Sequence, residues 1–234
     1  MRTLGNALVL AALLASTACG TGTGVGDSAD WHGCTAADLR AGKAVGFADF
    51  DGNGRVDRVW FASSGRCRGL ASETPKGVMG TALTGLDVDP SSIRPVQTRG
   101  RDQQVLYLVG EKPHPRGGRQ WHLIGSDGDT LGEVTVDGKP LLPFFATDGG
   151  GQPTTASCPA RGGIAVVTAT THEPPGIVLA WDVRRTTYRI DGLAAAEQDR
   201  STVREAAADP TLRKEMPHLF DGSFFTGCPL RVAG

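Results

Sequence analysis

From Val45 onward, short apolar runs alternate with clusters of Gly, Pro, Asp and Asn. The clearest runs are Arg55–Phe61, Gln104–Val109, Arg119–Ile124, Leu131–Val136, Ile164–Thr170, Ile177–Val183 and Thr186–Ile190. Each is rich in Val, Ile, Leu or aromatic residues and bounded by turn formers, which is the pattern of strands. Gly125 to Thr130 lies between two of them and reads as a hairpin turn. Short strands at this spacing predict an all-β fold, a propeller-like array of three or four small antiparallel sheets. A faint recurrence supports that number. Val56–Phe61, Val105–Val109 and Ile164–Thr170 each open a stretch of about 50 to 60 residues. The last two continue through a Pro/Gly-rich loop to Trp121–Ile124 and Trp181–Val183. The tail differs: Leu193–Ala208 is rich in Ala, Glu and Arg and predicts a helix, stopped by Asp209-Pro210. A second short helix is expected at Leu212–Met216, so a C-terminal helical segment near 193–216 covers a sheet end.

The first residues have another pattern. Arg2 precedes an apolar run from Leu4 to Leu14, and small residues Ser16-Thr17-Ala18 precede Cys19. One positive charge, a short apolar core and small residues before a cut describe a secretory signal over residues 1–18. The run falls short of the roughly 20 residues that span a bilayer. Cys19 and the Gly/Thr stretch after it resemble a bacterial lipoprotein signal and its flexible tether over 19–33, although Ser16 stands where that family usually has Leu. The resemblance implies lipidation of Cys19 by acyl chains and anchoring to the outer face of the cell membrane; plain secretion is the alternative. Residues 34–234 then form one β-rich domain.

Charge removes one class of partner. Of 24 basic residues the signal takes only Arg2, leaving 23 against 25 acidic residues and a net charge of −2. A near-neutral chain with no basic run gives no electrostatic case for nucleic acid. The basic residues are mostly Arg, and with abundant Ala and Gly this points to a GC-rich genome rather than to a function.

The most informative chemistry lies in Asp49-Phe50-Asp51-Gly52-Asn53-Gly54-Arg55-Val56-Asp57. Asp49, Asp51, Asn53 and Asp57 occupy loop positions 1, 3, 5 and 9, and Arg55 at position 7 offers its backbone carbonyl. Calcium takes six to eight oxygen ligands of these kinds, and the glycines permit the tight wrap. An EF-hand would have Glu at position 12 between helices; Trp60 stands there, and the flanks read as strands. The stretch instead resembles the FG-GAP or VCBS-type repeat of integrin-like β-propellers, which carry such a loop in a hairpin before an apolar strand. The resemblance covers about 20 residues and implies a structural Ca²⁺ held by Asp49, Asp51, Asn53, Arg55 and Asp57. Asp127-Gly128-Asp129 has no fourth ligand and reads as a plain turn.

With Cys19 lipidated, Cys34, Cys67, Cys158 and Cys228 remain, enough for two disulfides in an exported chain. Three pairings are open; Cys34–Cys67 with Cys158–Cys228 is preferred because it staples the calcium-loop and C-terminal regions separately. Zinc spacing is absent. So are a Gly-x-Ser-x-Gly elbow and a phosphate-binding glycine loop. The histidines are scattered; His114 and His172, in Pro-rich loops, are the ones a hydrolase would use. Trp60, Trp121 and Trp181 fall in strand runs and are expected in the core. The expectation is therefore an exported, membrane-anchored, non-enzymatic β-module, stabilised by calcium, that binds or scaffolds an unknown protein or glycan at the cell envelope. The alternative is an envelope hydrolase acting on a glycan or ester.

Overall fold

The computed structural model describes residues 34–50, 53–64, 67–75, 77–100, 103–115, 117–128, 130–147, 151–172 and 179–228. The signal and tether expected over 1–33, Cys19 with them, lie outside the described residues, as does Asp51. The described chain is all-β, with three sheets and a short C-terminal helix. The first sheet is an antiparallel meander of β1 (Lys43–Ala48), β2 (Asp57–Ser64), β3 (Cys67–Thr74) and β4 (Gly77–Ala82). A second meander follows: β5 (Arg94–Gln97), β6 (Val105–Gly110), β7 (Trp121–Ser126) and β8 (Leu131–Glu133). The third sheet contains β9 (Thr135–Val136), β10 (Lys139–Pro140), β11 (Thr154–Ser157), β12 (Ile164–Thr171), β13 (Ala180–Asp191) and β14 (Ala194–Ala208). Its spatial order is β10-β9-β14-β13-β12-β11, and it curls into a half-barrel. The three recurring runs read from sequence fall one per sheet, in β2, β6 and β12.

The middle sheet is buried on both faces, and the sequence of β6 explains why. Val105-Leu106-Tyr107-Leu108-Val109 is continuously apolar, as a strand covered on two sides must be. Leu106 and Leu108 point with Trp121 and Leu123 into a core shared with Ile164, Val166 and Ile190 of the half-barrel. Tyr107 and Val109 point the other way, into a core shared with Val59, Phe61, Leu70 and Met79 of the first sheet. The outer face of the first sheet is closed by a five-residue helix, α1 (Ala36–Arg40), whose Leu39 packs with Trp60, Ala62, Ala71 and Val78. Thr35 caps that helix reciprocally with Asp38. The three tryptophans expected in the core are there, each at most 8% exposed.

Both preferred disulfides form. Cys34–Cys67 joins α1 to β3 with Cα atoms 4.7 Å apart, and Cys158–Cys228 ties the end of β11 to the C-terminal segment at 5.3 Å. The bonds are consistent with an exported protein. No helix among the described residues is long and apolar enough to cross a membrane.

The expected helix over Leu193–Ala208 is corrected: those residues form β14, the longest strand, paired antiparallel along the whole of β13. Two causes are visible. Gly192-Leu193 is a two-residue hairpin loop with Gly192 at φ 58°, and a positive φ at the first loop position is what a tight hairpin requires. Once that turn is made, β13 supplies a full ladder of backbone partners, and tertiary pairing overrides the helical preference of Ala and Glu. The helical part of 193–216 is confined to α2 (Asp209–Glu215), and its Leu212 packs with Trp181 and Leu219. The indole N–H of Trp181 donates to Asp209 Oδ1 at 2.8 Å, fixing where α2 begins.

Candidate functional site

Asp49 and Asp57 stand at the base of the β1–β2 hairpin, where Ala48 pairs with Asp57. Asp57, the first residue of β2, is only 4% exposed. Its Oδ2 accepts the Phe50 N–H at 2.8 Å, so the carboxylate is turned back beneath the loop. Asp49 Oδ2 accepts the Gly54 N–H at 2.9 Å, and Asn53 Oδ1 accepts that of Arg55 at 2.7 Å. Gly54 makes this wrap possible at φ 80°. The second oxygen of Asp49 is different: Oδ1 is buried and has no hydrogen-bond partner among the described residues. A buried oxygen left without a partner carries a desolvation cost. A cation beside it would remove that cost.

Beneath the loop, Phe50 stacks on Tyr107 of β6, ring centroids 5.3 Å apart. The Tyr107 hydroxyl is also buried without a partner. Burial pushes its pKa well above the usual phenol range, and the negative charge of Asp57 pushes it further the same way. Two carboxylates, one of them with an oxygen that has no partner among the described residues, and the Tyr107 hydroxyl thus collect where the first two sheets meet. Were an oxygen-seeking cation to bind here, Asp49 and Asp57 would supply charge, Asn53 an amide oxygen and Arg55 its carbonyl. The Asn53 and Arg55 side chains are exposed, and Asp51 lies outside the described residues. Among the described residues no group of three or more His, Cys, Asp or Glu side chains is arranged around a metal position.

The two flagged histidines sit on different sheets. His114 is exposed in the connection from β6 to β7. His172, just past β12, is half-buried, with Nδ1 2.9 Å from Asp182 Oδ1. That Asp182 oxygen also accepts the Ala206 N–H at 3.0 Å. Its pKa is held below the usual carboxylate range, first by that backbone bond and then by His172. Asp182 thereby fixes an irregularity in the β13–β14 ladder, where Ala206 has φ 49°.

A third histidine, which sequence reasoning left among the scattered ones, has the most enclosed polar setting. His122 of β7 is 5% exposed, with Nδ1 2.8 Å from Glu133 Oε1 and Nε2 3.1 Å from Glu111 Oε1. Burial disfavours the imidazolium, but the bonds and charges of Glu133 and Glu111 outweigh it and the pKa is raised. The three residues meet because β7 lies between β6 and β8; their spacing in sequence carries no motif.

No family model matches the chain, and neither a curated protein nor a solved structure matches it.

Proposed function

We propose that this chain is an exported lipoprotein, anchored through Cys19 to the outer face of the cell membrane, whose β-module binds or scaffolds partners at the envelope and is stabilised by one calcium ion. The observation that carries the metal is the buried, unpartnered Oδ1 of Asp49, with Asp57 buried beside it in one hairpin. No partner for that oxygen lies among the described residues, and Ca²⁺ is a hard cation suited to it. The two disulfides support export. The role is non-enzymatic: it rests on sheets and a structural ion rather than on reacting groups.

The test is a thermal melt of the full chain in EDTA and across a calcium series. Calcium at 100 times its dissociation constant adds about 2.7 kcal/mol, or about 5 to 10 °C. Asp49→Ala should remove the calcium shift; identical melts in calcium and EDTA would overturn the metal reading. The anchor has its own test. Cys19→Ser should free the protein from the membrane fraction, and unchanged retention would refute lipidation.

A further inference from the structure

Several of the described arginines are matched with carboxylates. Arg40 pairs with Glu73, Arg119 with Asp89, Arg204 with Glu215 and Arg213 with Asp209. Others are not: among the described residues Arg99, Arg161, Arg185 and Arg189 form no ion pair, and Arg99 donates instead to the Gly227 carbonyl at 2.7 Å. Arg99, Arg161 and Arg189 line one recess of about 520 Å³ whose lining contains no carboxylate. Arg185 lines an adjoining recess of about 540 Å³, which shares Arg161 and Gln198 with the first and contains one acid, Asp199.

The convergence is built by glycine. Arg99 follows β5, whereas Arg161 precedes β12, and the two loops meet through a bridge between Arg99 and Gly163. A β-carbon on Gly162 would lie 2.9 Å from the Arg99 carbonyl oxygen, and one on Gly100 would lie 3.1 Å from the Gly162 Cα. Gly163, at φ 73°, seats the loop against the backbone of Tyr188 in β13. Any side chain at these positions would push the loops apart and spread the guanidinium groups. Like charges gathered this way repel one another, and an anion among them turns the repulsion into binding.

We propose that this double recess binds a glycan chain bearing carboxylate or phosphate groups. Guanidinium groups match both anions in bidentate geometry. Gln198 in the first recess and Thr187 and Ser201 in the second offer amide and hydroxyl groups between the charges, suited to sugar hydroxyls. None of the exposed large hydrophobics among the described residues, Phe47, Val56, Phe144 and Leu179, lines either recess to insert into a lipid surface. The inference names the partner class for the binding role proposed above and is independent of calcium.

The test uses the full chain in EDTA, below its melting temperature, against polygalacturonate, phosphorylated dextran, neutral dextran and phosphatidylglycerol vesicles. At least one acidic glycan should bind, with affinity falling as salt rises, and neutral dextran should not. Arg161→Gln with Arg189→Gln should weaken binding at least about tenfold, as expected for the loss of two charge-assisted contacts. Arg213→Gln, outside the recess, should bind as the parent does. The double variant should keep the parent's melt, because both side chains are exposed. Binding to neither acidic glycan, undiminished binding by the double variant, or tighter binding to the vesicles would each overturn the proposal. A calcium-insensitive melt alongside glycan binding would remove the metal reading and leave this one standing.

Discussion

The hydroxyl of Tyr107 occupies the place where residue 46 would carry a side chain: a β-carbon on Gly46 would stand 2.8 Å from it. Tyr107 is fully buried and stacked on Phe50, so it has no room to withdraw. The glycine of β1 is therefore a packing requirement of the middle sheet, placed directly under the candidate calcium loop.

Gly46→Ala should destabilise the protein by about 1 to 3 kcal/mol, the usual cost of overfilling a packed core. The companion change identifies the cause. Without the hydroxyl, the same β-carbon meets ring atoms at 3.6 Å, an ordinary contact. Gly46→Ala combined with Tyr107→Phe should recover most of the loss in a urea denaturation series. Additive losses would mean that Gly46 is needed for some other reason.

Tyr107→Phe alone removes a buried hydroxyl that has no hydrogen-bond partner. Deleting such a group should leave stability in EDTA unchanged or raise it by about 1 kcal/mol. A fall of that size would show that the hydroxyl does have a partner. The variant also bears on the loop above, since Asp57 would lose a polar neighbour whose ionisation it opposes.

Much of the body was legible because its strands obey local rules. Val105–Val109 is continuously apolar and proves to be covered on both faces; β7 and β8 pair as an antiparallel hairpin on either side of the turn-forming stretch. The weaker strands were not. β3, β4, β5 and β11 carry Gly, Ser, Thr or Pro and too few large apolar residues to announce themselves. β14 carries a helical composition, and only the tight Gly192 hairpin before it, with its pairing to β13, makes it a strand. At the candidate site, Asp49, Asn53 and Asp57 could be read from spacing, because one loop holds them. Tyr107, Glu111, His122, Glu133 and the arginine recess could not, because strand pairing and glycine packing bring them together from distant positions.

His122 gives a pH signature. Its pKa is raised above the ordinary 6.5 in the folded state, Glu133 and Glu111 prevailing over burial. The stabilisation it contributes is fully present below about pH 6.5 and is lost as pH rises through the raised folded value. Denaturant unfolding followed from about pH 6 to pH 9 should show stability declining for the parent and a flatter profile for His122→Gln. Parallel profiles would show that another group carries the pH dependence. At the acid end, loss of the Asp182 and Asp209 contacts, whose carboxyl pKa values are lowered, should dominate.

The two disulfides differ in what they enclose, and the difference is measurable. Cys34–Cys67 spans 33 residues and ties α1 across one face of the first sheet. Cys158–Cys228 spans 70 residues and holds the segment that delivers Phe224 and Phe225 to the core between the middle sheet and the half-barrel. On chain entropy alone the first constrains the unfolded state by about 3.7 kcal/mol and the second by about 4.4 kcal/mol. Packing widens that gap. Without the second bond, the chain beyond α2 is retained by the docking of Phe224 against Trp121 and Phe145 and by single contacts such as Phe225 N–H to the Ala156 carbonyl. Replacing both Cys158 and Cys228 by Ser should cost more than the Cys34/Cys67 pair and should expose the C-terminal segment to proteolysis before global unfolding. Equal losses, with no early cleavage after α2, would mean that aromatic packing alone holds the segment and that the bond acts only on the unfolded chain.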